Sequence, residues 1–240
     1  MKVSAFAVDV DGTLTAEEGG IDLEAASVLA NLERMGYPVI LVSGRSGWEL
    51  LELSINLCLS RVVVGENGGV SVYKSPLRIR LWSDNTQPVL AYEYLSQRVK
   101  GLVLRDTFPR FTEVVLERTM EVGVLREALE GSGLNVKVLD SGYAFHITSG
   151  KVDKSVGLSK VLEEMRIRPE EVVAIGDSET DVPMFKMVGY SICVGNGDVA
   201  ARAACKHIVK GRQGSGVIEA VAFSLGTLIS GSRLKKQDKR

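Results

Sequence analysis

The run Val3 to Val8, apolar except for Ser4, passes without a turn into Asp9-Val10-Asp11-Gly12-Thr13. A strand-length segment with apolar residues at successive positions is buried on both faces, the condition of a strand inside a parallel sheet covered by helices. Two carboxylates at the end of such a strand repel each other and lose hydration, so they persist there with a cation or a shared proton. A divalent metal meets that need most simply. Asp-Gly is also an ordinary turn pair, and Asp9 and Asp11 stand like the first and third ligands of a calcium loop. The calcium reading fails because the sixth position would be Leu14 where the loop needs Gly, and the twelfth would be Gly20 where it needs Glu.

The same grammar continues along the first third of the chain. Residues 23–35 carry apolar side chains at helical spacing and stop at Gly36; 38–42 reads as a second strand, 48–59 as a second helix and 62–64 as a third strand. Parallel sheets of this kind bind ligands outside the carboxyl ends of their strands. Asp9, Ser43 and Glu66 follow the three strands in turn and are expected to converge on one edge. The pattern returns near the C-terminus, with a strand at 171–175, then Gly176-Asp177-Ser178-Glu179-Thr180-Asp181, a helix at 182–187, and short strands at 191–194 and 207–209. The segment from Val217 to Ile229 reads as a packing helix.

Between these halves the character changes. Residues 88–99 and 122–129 have helical spacing, 112–117 alternates as a strand, and 134–139 with 143–148 read as a hairpin. The expectation is an α/β protein: a Rossmann-like parallel-sheet core from residues 1–82 and 153–240, with a small α+β cap of residues 83–152 inserted between them. At 240 residues the chain can hold both with a core in each.

Composition narrows the partners. A net charge of −1 gives no global attraction to nucleic acid or an anionic membrane. No run of about 18 apolar residues suggests a membrane span, and no signal-peptide core precedes Asp9, so a cytoplasmic location is expected. Cys58, Cys193 and Cys205 form no zinc or CxxC pattern and read as buried thiols of a reducing compartment. The basic tail Arg233 to Arg240 reads as a solvated end. No nucleic-acid and no membrane partner is expected; the assembly state is open, a homodimer included.

Asp177 and Asp181 form a second acid pair after a buried strand. Alone they could be helix-cap residues beside Ser178 and Thr180, but with Asp9 and Asp11 at the same sheet edge they make an oxygen-rich site suited to Mg²⁺. Ser43-Gly44-Arg45 offers a hydroxyl and exposed amides that can hold a phosphate oxygen, or is simply a turn into the next helix. Asn67 and Asn196 sit in glycine turns from which an amide could reach ligand. Lys154 opens a helix, where a cation opposes the dipole and needs an anionic partner; Lys151 competes for that role, and Asp153 is a cap for the helix. His146 lies in an alternating strand and reads as structural.

Asp9-x-Asp11-Gly12-Thr13, Ser43-Gly44-Arg45, Lys154 and Gly176-Asp177-Ser178-x-x-Asp181, in this order, resemble the four motifs of the haloacid dehalogenase superfamily of phosphatases. The position of the insertion, with Glu66-Asn67-Gly68-Gly69, is similar to the Cof-like branch with an α/β cap, and the short cap is similar to that of archaeal phosphoglycolate phosphatases. The resemblance implies that Asp9 is a nucleophile and Asp11 an acid and base. It also implies that Mg²⁺ is held by Asp9, the Asp11 main-chain carbonyl and Asp177, with Asp181 as a further ligand or as a support behind them, and that Ser43, Gly44 and Lys154 bind phosphate. The partner it implies is a small phosphorylated metabolite, and the reaction is hydrolysis of 2-phosphoglycolate through an aspartyl-phosphate. A sugar-phosphate phosphatase, a phosphotransferase and a non-catalytic phosphate sensor are the alternatives. Thr180 stands where these relatives often carry Asn, so support of Lys154 or the metal is expected to differ there.

Overall fold

A computed structural model describes residues 1–229; the basic tail lies outside the described residues. The first half of the core holds β1 (Ala5–Val8), α1 (Leu23–Arg34), β2 (Val39–Leu41), α2 (Gly47–Asn56), β3 (Val62–Gly65), β4 (Val70–Lys74) and β5 (Leu77–Leu81). Next come α3 (Thr86–Ser96), β6 (Glu113–Leu116), α4 (Val122–Leu129), β7 (Val136–Asp140) and β8 (Phe145–Ser149). The chain then returns through α5 (Lys154–Met165), β9 (Val172–Gly176), α6 (Val182–Met187), β10 (Tyr190–Cys193), α7 (Val199–Ala204), β11 (His207–Ile208) and α8 (Gln213–Phe223).

The central sheet runs β11-β10-β9-β1-β2 with every pairing parallel. Its strands alternate between two buried layers, as the period of two requires. Phe6 and Val8 enter a cluster with Leu29, Leu50 and Val217, while Ala5 and Ala7 enter one with Leu158, Val161 and Phe185. The helices begin where local chemistry starts them: Asp22 accepts from Ala25 N to cap α1, and Ser46 and Glu49 form a reciprocal capping box at α2.

The third strand departs from the expected place in this sheet. β3 touches the parallel sheet through a single bridge, Val42 to Val64, and otherwise pairs antiparallel with β4, which pairs with β5. The hairpin that follows the Glu66–Gly69 turn takes the ladder that a further parallel strand would have used. The predicted helix through Ile229 ends at Phe223 and continues as a π-helical turn, Ser224–Ile229.

A third sheet, β6-β8-β7, is antiparallel throughout. It has its own apolar cluster, in which Ala91 and Leu95 of α3 and Leu125 of α4 meet Leu116, Phe145 and Ile147. We take this unit as the cap and propose its limits at residues 83 and 152.

Candidate active site

Strand order explains why distant motifs meet. β1 lies between β9 and β2, with Val8 opposite both Ile175 and Leu41, and Asp9 N extends the ladder to Ile175 O at 3.0 Å. The residues that leave these three strands therefore emerge side by side. One carboxylate oxygen each from Asp9, Asp177 and Asp181 lies within 4.8 Å of the others.

Lys154 sits among them. Asp153 caps α5 by accepting from Ser155 N, and Lys154, the first residue of that helix, donates from Nζ to Asp9 Oδ1 and Asp181 Oδ1, each at 2.7 Å. Lys154 is 2% exposed, whereas its competitor Lys151 is exposed to solvent. Burial alone would lower the Lys154 pKa, but the Asp181 and Asp9 carboxylates raise it by more and keep the ammonium charged. Burial pushes Asp9 well up; Lys154 pulls it down, while Asp181 and Asp177 push in the same direction as burial. Asp177 is raised to about 7 by burial and then by Asp181. One ammonium thus fails to balance the acids. An all-oxygen set with this surplus of negative charge fits a hard divalent cation.

The loop after β1 is braced on several sides. Gly12 has φ +82°, and a Cβ there would collide with the Asp177 carboxylate, so the close approach of the two acid motifs requires glycine. Thr13 Oγ1 donates to Asp177 Oδ1 at 2.9 Å, and Asn196 Nδ2 donates to Gly12 O at 2.8 Å. Asp181 Oδ2 accepts from Asp177 N and Ser178 N at 2.9 and 3.0 Å, so this acid also organises its own turn. Thr180 exchanges a 2.8 Å hydrogen bond with Ser178 Oγ, while Lys154 is held by carboxylates.

Asp11 points elsewhere. Its carboxylate lies outside the three-acid group and is gripped by Arg45, with Nη2 to Oδ1 at 2.6 Å and Nε to Oδ2 at 2.9 Å. That geometry leaves only its main-chain carbonyl for the expected metal role. Hydrogen bonding to Asp11 raises the Arg45 pKa. Ser43 Oγ lies 3.5 Å from Asp11 Oδ2 and accepts from Arg45 N at 3.2 Å. Ser43, Gly44, Lys154, Asp9 and Asp11 all line one cavity of about 850 Å³.

Arg105, Phe108, Arg110, Tyr143 and His146 from the inserted unit line the other side of that cavity. Glu66 Oε2 accepts from Phe111 N, Thr112 N and Thr112 Oγ1 at 2.8–2.9 Å, fastening the chain entering β6 to the core. Burial and the neighbouring Glu113 raise the Glu66 pKa. The grip of Arg45 on Asp11 was within reach of the sequence, since Arg45 belongs to the Ser43 motif. Arg110 and Glu113 carried no local signal.

A family model for haloacid dehalogenase-like hydrolases matches residues 6–86 and 117–221. The chain belongs to the haloacid dehalogenase-like hydrolases. The phosphoglycolate phosphatase of Nitrosopumilus maritimus is 38% identical over 222 residues, which cover 92% of this chain and 96% of that protein. The phosphoglycolate phosphatase of Methanococcoides burtonii is 37% identical over 227 residues, covering 94% and 98%. A crystal structure of a Thermoplasma acidophilum protein superposes with a TM-score of 0.80 at 25% identity, over 90% of this chain and 96% of that one. Among the described residues, no helix is long and apolar enough to cross a membrane.

Proposed function

We propose that this hydrolase is a Mg²⁺-dependent phosphatase acting on a small phosphomonoester, 2-phosphoglycolate, with Asp9 as nucleophile. The observation that carries the reading is the buried Asp9 carboxylate, held at 2.7 Å by Lys154 beside two further acids at the end of the central strand. Burial favours the protonated acid; Lys154 pulls Asp9 toward the ionised, nucleophilic form, and a bound cation would complete that shift. Asp9, Asp177, Asp181 and the Asp11 carbonyl would hold the cation, which when bound neutralises phosphoryl charge.

Asp9 attacks phosphorus and forms an aspartyl-phosphate, releasing the alkoxide. Asp11, oriented by Arg45, protonates that leaving group and then takes a proton from the water that hydrolyses the intermediate. Ser43, the Gly44 amide and Lys154 bind the transferring oxygens, where fixed donors and charge are most effective. The cap excludes bulk water and contacts the leaving group.

The choice of phosphoglycolate is supported by the names of relatives matched over nearly the full chain. The cavity volume of about 850 Å³ favours a second reading, a sugar phosphate or other larger phosphomonoester, because pockets of this size hold drug-sized ligands. Phosphate release by the purified protein, with and without Mg²⁺, from phosphoglycolate, sugar phosphates, phosphoglycerates and nucleotides separates the two. Metal-dependent preference for phosphoglycolate is expected, with turnover abolished in Asp9→Asn. Full turnover in that variant would remove Asp9 as nucleophile, and preference for a sugar phosphate would move the substrate while keeping the mechanism.

A further inference from the structure

The side of the cap sheet turned away from the cap's helices carries a buried carboxylate that the reaction does not use. Alternation along β6 and β8 sends Leu116, Phe145 and Ile147 into the cap cluster and leaves Glu113 and His146 on the opposite side. The Glu113 side chain is 0% exposed. An ionised acid in that position needs compensation from all round. It receives Arg110 Nη1 at 2.6 Å on Oε1 and Asn67 Nδ2 at 3.1 Å on Oε2, with His146 Nδ1 at 3.2 Å from both oxygens. Burial raises its pKa, but His146, Arg110 and Asn67 outweigh that and hold it below the usual carboxylate value.

These partners do more than neutralise one another. Arg110 Nη1 also donates to Gly44 O at 2.5 Å, and because that nitrogen carries two hydrogens it can serve Glu113 and Gly44 together. A Cβ on Gly44 would stand 3.1 Å from Asn67 Nδ2 and 3.2 Å from His146 Cε1, so both side chains are packed against Gly44. Gly44 lies between Ser43 and Arg45, the residues that meet Asp11. Arg110 and Glu113 fall between the two segments matched by the family model.

We infer that Glu113 is a positioning residue: by fixing Arg110, Asn67 and His146 around Gly44, it couples the seating of the cap to the geometry of the Ser43–Arg45 phosphate loop. The inference rests on the phosphatase reading and adds a residue to it that touches neither substrate nor metal. A well-packed apolar residue could fill the same volume without burying charge, so stability alone gives no reason for an acid here. The acid is the one group that can accept from all three donors at once.

Glu113→Gln keeps the volume but replaces one accepting oxygen with an amide N–H₂, so the side chain can no longer accept from Arg110, Asn67 and His146 together. Because the disturbed element binds the phosphoryl group common to all substrates, KM and the inhibition constant of inorganic phosphate should rise together. The expected factor is about tenfold or more for every leaving group, with kcat changed less. Arg110→Ala should do the same, and the two changes combined should cost less than the product of their separate effects. Arg110→Ala decides the matter if Glu113→Gln does not fold. A folded variant with wild-type KM and phosphate inhibition, whatever its melting temperature, would overturn the inference and leave the phosphatase reading standing. So would a loss confined to one leaving group, which would make the cluster a substrate contact. Absence of phosphate release by the wild type from every phosphomonoester would overturn both.

Discussion

Removal of divalent cations should destabilise this protein more at high pH than at low pH. Asp177 is raised from 3.8 to about 7 by burial and by Asp181, and Asp9 is raised by the same causes against the pull of Lys154. The folded site therefore holds protons that the unfolded chain has already released. An acid raised in this way contributes stability that is intact below about pH 4 and is lost as pH rises through about 7. For Asp177 the interval from 3.8 to about 7 amounts to at most about 4 kcal/mol. A bound cation favours the ionised acids and returns what deprotonation took away.

The assay is thermal unfolding in Mg²⁺ and in chelator, at about pH 5 and about pH 8. For a chain of this length about 1 kcal/mol moves the midpoint by about 2–4 °C, so the share of the metal-dependent increment that comes from Asp177 titration is at most roughly 8–16 °C at the higher pH and should shrink at the lower. Glu171, held down to about 2 by Ser4, Arg168 and Lys2, works in the opposite sense, losing its contribution as pH falls. It lies outside the acid group and cancels between the metal and chelator series. Asp177→Asn should melt at nearly the same temperature in both, and above the wild type in chelator at about pH 8. An increment independent of pH, or an Asp177→Asn variant no more stable than the metal-free wild type, would refute the assignment of stored like-charge repulsion.

Two further outcomes follow from single contacts. Lys154→Met removes the cation shared at 2.7 Å by Asp9 and Asp181, and should reduce turnover by about 10²–10³-fold in a saturating phosphate-release assay; activity within threefold of wild type would exclude Lys154 from the phosphoryl site. Gly68→Ala places a Cβ against the Asp153 carbonyl oxygen at a residue with φ +97°, where the N-terminus of α5 packs. It should cost about 2–4 kcal/mol in urea unfolding, and a much smaller loss would show that α5 shifts freely.

The parts of this molecule that could be read from sequence are those in which local chemistry and final position coincide. Apolar runs fix buried parallel strands, a parallel sheet has one ligand-binding edge, and residues directly after β1, β2 and β9 must lie on it; Asp9, Ser43 and Asp177 were placed by that logic alone. Lys154 needed more: the demand of a cation near a helix start for an anionic partner left Lys151 in competition, the resemblance to the family's motifs favoured Lys154, and the structure gives it two carboxylates. β3 shows where the logic stops. It keeps a parallel bridge to the strand before it through Val42 and Val64, but its other edge is taken by the antiparallel β4, and that pairing depends on the turn at Glu66–Gly69, which strand composition does not report. Arg110, Glu113 and His146 lie further out of reach, because each looks like an ordinary residue of a small antiparallel unit. Their meaning arises only when that unit is seated on Gly44 and Asn67. A site built at one sheet edge is written in motifs; the coupling of two units across it is written in the orientation between them, and a buried acid that answers donors from both sides is how that coupling can be recognised.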